Sequence, residues 1–553
     1  MKVFNHVWRS VSPVILTAVG AGIALPADAA TVDEIIVTTR RGEENLQDIP
    51  VAVRSFDEEF LQKQAIRTTE QIAALVPGVQ FDQSFSAADT RITIRGIASE
   101  RGRTSSAVLI DGIDVTGENV TAGGGSSLLN TRLLDLERVE VIKGPQSALY
   151  GRNAFAGAIS YVSRQPSLEE TEINLFADYS TFDTTGNATD VRASISGPVI
   201  DGKLALGLNV GYFDNTGFYR NNNQAVPAAN SRLNGEESIG ARLSAVWTPT
   251  DNVAVTANLM YSDREVTPRG AVKVANANTF YLNGAELPAG TTPEFSFLGN
   301  QDFGQWLGTV TSVSPENINY SISERTNAPF AGSTDETLLA YVKVDWDLGA
   351  VTLRSNSSYL DNKATLQEDA EYQDGVGTVF MGVGLSLAND YQDATDSTYI
   401  NQEFTLESND WDRGTWLVGV QYFRDDTKNV DTSLGWYNDP FIVFVPGLCG
   451  SGPFQAACSF ADSAIAGDPA KVIERDTDSR SIFGLVGYDL TDNLRITAEA
   501  RYIRDEITVT TNTAIDRVSQ YILNVPIDFS FGAPPVLPAR DTQSSNTLNP
   551  RVA

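Results

Sequence analysis

The sequence predicts a membrane-embedded, all-β antiparallel barrel preceded by a compact α+β domain. Three observations point there. Segments after residue 167 alternate apolar and polar residues, their connections alternate between tight and long, and the chain opens with an export signal.

The signal comes first. Lys2 and Arg9 precede the apolar run "VILTAVGAGIAL" (Val14 to Leu25), and Ala27-Asp28-Ala29 supplies a small-x-small cleavage site, so residues 1–29 read as a signal peptide. No later apolar run reaches the roughly 18 residues that a spanning helix needs. A hydrophobic content of 42% is low for a large soluble core, yet natural for strands that are apolar only on alternate positions. The formal net charge of −30 argues against a nucleic-acid partner, which requires a basic footprint. Beside anionic lipid, such as lipopolysaccharide, an acidic surface favours bridging by divalent cations.

Cys449 and Cys458 are the only cysteines, and in an exported chain they read as a local disulfide closing a loop tip. The only histidine, His6, lies within the signal peptide. That weighs against histidine-ligated zinc or haem, so no metal site and no cofactor are expected. No nucleophile–base–orienter set emerges either, and the expectation is a protein that is not an enzyme.

Residues 30–46 begin the mature chain. "DEIIVTT" is a short β-prone stretch in polar surroundings, suited to lending its backbone to a partner sheet. From 47 to 166 the chain reads as compact α+β. "SFDE" (Ser55 to Glu58) and "TTEQ" (Thr68 to Gln71) are capping-box signatures, and Pro77-Gly78 ends the second helix. "RITIRGI", "AVLIDGIDV", "RVEVIKG" and "AGAISYVSR" read as strands.

Residues 167–553 carry the barrel pattern. In "LRITAEARY", Leu494, Ile496, Ala498, Ala500 and Tyr502 share one face, and Arg495, Thr497, Glu499 and Arg501 the other. Eleven segments of this kind fall at 172–183, 188–200, 203–214, 237–248, 253–264, 337–348, 351–362, 397–408, 415–426, 480–490 and 494–511, and "TLNPRVA" reads as the start of a twelfth. Connections after even-numbered segments are tight ("IDG", "TPTDN", "LGA"), whereas those after odd-numbered ones are mostly long. Outer-membrane barrels show this asymmetry, with short periplasmic turns and long outer loops. Tyr179, Tyr212, Tyr261, Tyr359, Tyr422 and Tyr502 fall late on rising segments, and Trp247, Trp346 and Tyr488 late on descending ones. Two aromatic girdles follow.

One stretch, "GPQSALYGRNAFAGAISYV" (residues 144–162), raises the alternative of a phosphate loop. Its spacing is not that of a nucleotide-binding loop, and Pro145 removes a backbone N–H that such a loop would aim at phosphate. Pro145 suits the first position of a one-turn helix instead, and Gly151 its C-terminal stop.

Together "DEIIVTTRRGEENLQDIPVAV", "ITIRGI", "VLIDGIDV" and "LERVEVIKGPQSALYGRNAFAGAISYV" resemble the N-terminal plug of TonB-dependent outer-membrane receptors. The resemblance spans Asp33 to Pro166, and its separated motifs occur in the family's order. It implies a monomeric plug-and-barrel protein of the Gram-negative outer membrane. Plugged transporters of this kind have about 22 strands, of which this chain would hold about half, as if truncated at its C-terminus. It also implies that Asp33, Glu34, Ile35, Ile36, Val37 and Thr38 pair with TonB as an added strand. Plug apices face the cargo in the family, which places Gln83, Phe85, Arg101, Arg103, Glu118 and Asn119 as ligand-facing residues. Arg95, Arg138 and Arg152 are expected to pair with acidic groups on the barrel's inner wall. The implied activity is energised import of a scarce small molecule or metal chelate, with a ferric siderophore as the leading class. Cobalamin and oligosaccharide are alternatives within the family, and a passive porin or an adhesin are alternatives outside it.

Overall fold

The computed structural model describes residues 51–64, 66, 68–83, 90–98, 104–117, 135–181, 186–223, 232–270, 328–369, 383–409, 413–431, 471–491, 494–512 and 539–552. It also describes short pieces at 36–37, 44–45, 280–282, 285–287, 318, 322–323, 376–380, 411 and 434–438. The signal peptide and both cysteines lie outside these residues.

The N-terminal unit runs β1 (Ala52–Asp57), α1 (Glu58–Lys63), α2 (Thr69–Leu75), β2 (Val79–Gln83), β3 (Thr90–Ile94), β4 (Ser106–Ile110), β5 (Ile113–Asp114), β6 (Leu136–Lys143), α3 (Ser147–Tyr150) and β7 (Gly157–Ser163). Five strands form one sheet in the order β1-β6-β7-β4-β5, with only β7 and β4 parallel, and β2 pairs with β3 separately. Thr68 and Gln71 form the expected capping box at α2. At α1 the cap is Asp57, whose carboxylate accepts from Phe60 N at 2.8 Å. Ser55 belongs to β1, because that strand continues through Asp57 in pairing with β6. The one-turn helix α3 starts two residues later than expected, with Gln146 as its N-cap and Pro145 just outside. Gly151 stops it at φ +94.

Twelve long strands follow: β8 (Glu172–Thr181), β9 (Asn187–Ile200), β10 (Leu204–Asn215), β11 (Glu236–Thr250), β12 (Val253–Val266), β13 (Gly332–Asp347), β14 (Val351–Asp369), β15 (Val383–Ser408), β16 (Gly414–Asp431), β17 (Lys471–Thr491), β18 (Leu494–Asn512) and β19 (Ala539–Val552). They pair antiparallel in chain order from β8 to β19, and Val376–Phe380 and Leu434–Asn438 add to the loop end of β15. All eleven expected segments are present, and the twelfth begins at Ala539, earlier than "TLNPRVA". Most differences lie at the loop-side ends, where β13, β15 and β17 start earlier and β14 and β16 end later than the alternation indicates. There the backbone ladder continues past the segments in which the alternation is clear.

The sheet is inside-out relative to a soluble protein. On β18, Leu494, Ile496 and Tyr502 are 52%, 44% and 46% exposed, whereas Thr497, Glu499 and Arg501 are 3%, 5% and 1% exposed. The girdle residues Trp247, Trp346, Tyr179, Tyr212, Tyr261, Tyr359, Tyr488 and Tyr502 are exposed on the same outer face. An exposed apolar wall around a buried polar lining is what lipid as solvent selects.

The N-terminal unit sits against the polar lining. Its apolar core, including Ile94, Val108, Val139 and Ile159, is continuous with the barrel residues Leu339, Tyr341, Leu360, Tyr399 and Phe423. A second contact places Leu149 of α3 among Leu417, Phe483 and Leu485. The plug therefore lies on the lumenal side of the wall.

Candidate functional site

The functional geometry that the structure defines is the seam between plug and barrel. It begins at the turn of the β4–β5 hairpin. "Ile-Asp-Gly-Ile" closes in two residues, with Asp111 at φ +51 and Gly112 at φ +78, the mirror-image turn that matches strand twist. This presents Asp111 to the wall. Its Oδ1 accepts from Ser163 N at 2.7 Å and its Oδ2 from the Tyr341 hydroxyl of β13 at 2.5 Å. Two residues along β13, Lys343 Nζ donates to the Asp111 carbonyl. One barrel strand thus holds the turn by its side chain and its backbone together.

The second grip is on "SALYGRNA". Arg501 of β18 is 1% exposed, stacks over Phe483 at 4.5 Å from the ring centroid and donates to Leu149 O at 3.2 Å. Ser481 Oγ, at 2.7 Å, and Gln421 Oε1 both accept from its Nη2. Gly151 leaves room for this approach, since a Cβ there would meet the guanidinium carbon at 3.4 Å. Next in sequence, Arg152 lies 3.9 Å above the Phe423 ring and 3.7 Å from Asp425 Oδ2, both on β16. Asn153 Nδ2 donates back to Asp114 Oδ2 at 3.1 Å. Burial pushes the Asp114 carboxyl above its ordinary range, opposed by hydrogen bonds from Thr116 and Asn153 and by the Arg152 charge. A third grip closes the seam: Arg242 of β11 donates to Arg164 O at 2.9 Å and to Asn258 Oδ1 at 2.8 Å.

The predicted residues fall unevenly on this geometry. Arg152 makes the expected contact with an acidic wall residue. Arg138 is placed otherwise: among the described residues its ion pairs are with Glu137 and Glu140 inside the plug, Glu140 lying two residues on along the same face of β6. Arg95 occupies a turn at φ +53, with an exposed side chain beside Gly144 of the plug rather than the wall. Of the expected TonB-pairing residues, Ile36 and Val37 form a short strand antiparallel to Glu44–Asn45, and the rest lie outside the described residues. Gln83 ends β2, while Phe85, Arg101, Arg103, Glu118 and Asn119 are outside the described residues. Sequence reasoning missed Asp111, Tyr341, Lys343 and Arg501. Their signal was present as polar residues on the inward parity of barrel strands and as an Asp-Gly turn, but many residues share those features.

Tyr341→Phe tests the first grip. It removes a hydrogen bond to a carboxylate in a buried setting, worth about 1.5–3 kcal/mol. Amide exchange across the Asp111 turn in the folded, full-length protein is expected to quicken by about tenfold or more. An unchanged rate would show that the tyrosine fills space without holding the turn.

Comparison with known proteins matches this geometry. Residues 45–158 match the model of the TonB-dependent Receptor Plug Domain. That stretch is similar to the plug of TonB-dependent receptors, and the strands behind it have the fold of those receptors' barrels. Vitamin B12 transporter BtuB of Vibrio vulnificus is 23% identical over 457 residues, covering 74% of this chain and 72% of that protein. Among solved structures, the siderophore receptor PiuA of Acinetobacter baumannii superposes with a TM-score of 0.61 at 14% identity, over 94% of this chain and 64% of that one. The ferric yersiniabactin uptake receptor FyuA of Yersinia pestis gives 0.58 at 12%, over 91% and 61%. The chain therefore spans less than two thirds of those two receptors.

Proposed function

We propose that the protein imports a scarce solute across the outer membrane with energy delivered through TonB, and that the solute is a ferric siderophore. The observation that carries the reading is the plug, seated on the lumenal lining by Asp111, Arg152 and the Arg501 contact. A lumen stopped in this way does not serve passive diffusion, and polar contacts of this kind can exchange for water when the plug is moved. In this reading Asp33–Thr38 is the strand offered to TonB. Gln83, Phe85, Arg101, Arg103, Glu118 and Asn119 meet the cargo, with the two arginines suited to an anionic chelate. A ferric chelate brings its own donor atoms, so the receptor needs no histidine ligand. Of the similar structures, one is titled a siderophore receptor and another a ferric yersiniabactin uptake receptor, which supports an iron cargo. The relative named for vitamin B12 supports a second reading, cobalamin, through its longer sequence match.

The two are separable in iron-limited cells that express the full-length protein. Accumulation of radiolabelled iron from ferric siderophores, lost when TonB is absent, is the expected result. TonB-dependent accumulation of cobalamin alone would favour the second reading, and accumulation of either without TonB would overturn energised import.

A further inference from the structure

The outward face of β16–β18 changes chemistry row by row. Val418 and Val420 on β16, Ile482 and Val486 on β17, and Ile496 and Tyr502 on β18 belong to the apolar band. One row further from the tight turns, Tyr422, Arg480 and Arg504 stand side by side, Tyr422 opposite Arg480 and Arg480 opposite Arg504. The next row is Arg424, Asp478 and Glu506. Directly opposed like charges weaken a strand pair. Both guanidinium groups are exposed, and neither has an ion-pair or hydrogen-bond partner among the described residues. The contrast with Arg424 is informative, since Asp426 holds that side chain at 3.0 and 2.9 Å. Asp478, the carboxylate beside Arg480, instead accepts from the Tyr422 hydroxyl at 2.7 Å. Beside the pair lies a groove of ≈ 490 Å³, lined by Phe404, Val420, Ile482 and Tyr502 in one row and by Gln402, Tyr422, Arg480 and Arg504 in the next.

We propose that this groove binds a phosphorylated lipid of the loop-side leaflet, its acyl chain along Phe404, Val420 and Ile482 and its phosphate bridging Arg480 and Arg504. Two planar guanidinium forks match the oxygens of one phosphate, and the anion relieves their mutual repulsion. The pair stands at the edge of the apolar band, the depth at which a lipid headgroup lies. In a chain of net charge −30, two adjacent arginines are a local exception that selects for an anion. The source of the phosphate is a lipid because the charged pair and the carbon-lined groove are one continuous surface. A free phosphate would use the first and leave the second empty. The proposal rests on the membrane-embedded barrel and is independent of TonB and of cargo.

The test uses the full-length protein, purified in non-ionic detergent, with bisphosphorylated lipid A as the probe and native mass spectrometry as the readout. Wild type is expected to retain the lipid, and Arg480→Gln/Arg504→Gln to lose at least about tenfold in binding, the scale of losing charge-assisted hydrogen bonds. Arg424→Gln is expected to bind as wild type. Dephosphorylated lipid A should bind weakly, and inorganic phosphate at matched concentration should not displace the lipid. Wild-type binding by the double variant, equal binding of the dephosphorylated lipid or displacement by inorganic phosphate would each overturn the site. Heat-modifiable gel migration checks barrel folding. A double variant that fails this check is replaced by Arg480→Lys/Arg504→Lys, for which a smaller loss is expected and wild-type binding is again disproof. Uptake assays do not enter, so failure here leaves the import reading intact.

Discussion

Deleting Asp33–Thr38 from the full-length protein is expected to bring uptake down to the level of cells lacking TonB, with surface binding of cargo and the amount of folded barrel unchanged. Ile36–Val37 is already extended and pairs with Glu44–Asn45 as an isolated two-stranded sheet. So short a ladder carries little stability of its own, and its outer edge retains backbone donors and acceptors for a partner. Recognition through such an edge is mostly main-chain, with side chains alternating towards and away from the partner. Single changes should therefore separate by backbone chemistry rather than by hydrophobicity. Val37→Ala is expected to retain most uptake, whereas Val37→Pro should behave like the deletion, because proline removes an N–H and does not sustain a strand edge approached from that side. Radiolabelled cargo uptake, set against binding at low temperature, measures both. Uptake that survived the deletion would remove this segment as the site of energy transfer.

The barrel was legible in the sequence because lipid imposes one rule on every strand: apolar side chains out, polar side chains in. Where lipid ends, the rule ends. The loop-side reach of β15 to Val383 and of β17 to Lys471 was invisible for that reason. The plug was legible through local chemistry such as the Thr68–Gln71 box, which depends on neighbours in the chain. The Asp111-Gly112 turn was not, since "AVLIDGIDV" reads as one strand and the structure folds it into a hairpin. The seam was not. Whether Arg138 reaches a wall carboxylate or Glu140 depends on how two separately folded surfaces meet, and no short-range pattern encodes it. Arg152 was expected at the wall through the family resemblance, on the same footing as Arg95 and Arg138, and nothing local set it apart from them. Arg501 was hidden, being one of several inward polar residues on β18, and only the docking of α3 distinguishes it.

Arg152→Ala is expected to loosen the plug more than any other single change at the seam, by about 3–5 kcal/mol, the cost of breaking a buried ion pair from one side. The side chains of Arg152 and Asp425 are 5% and 0% exposed. Removing the cation withdraws a counter-charge from a carboxylate that water does not reach, and the Thr427 hydroxyl, 2.7 Å from Asp425 Oδ1, offsets only part of the loss. The stack on Phe423 is lost as well. Because β16 keeps both of its neighbouring strands, the deficit falls on docking of the plug and not on the wall. Cells expressing the variant should become sensitive to bulky hydrophilic antibiotics, and the plug should be cut by added protease while the barrel still migrates as folded. Arg152→Ala/Asp425→Asn should recover part of the barrier, since the uncompensated charge is gone. Arg152→Lys should recover less than its charge implies, because an ammonium does not lie flat on the ring. If Arg152→Ala excludes antibiotics and resists protease as wild type does, the pair is incidental to docking and the plug is held by its other contacts, the Asp111 turn, the α3 contact and the Arg242 grip among them. A stopper fixed in part through a few charged and hydrogen-bonded points keeps the lumen shut at rest, yet a pull on its N-terminal strand can undo those points one at a time.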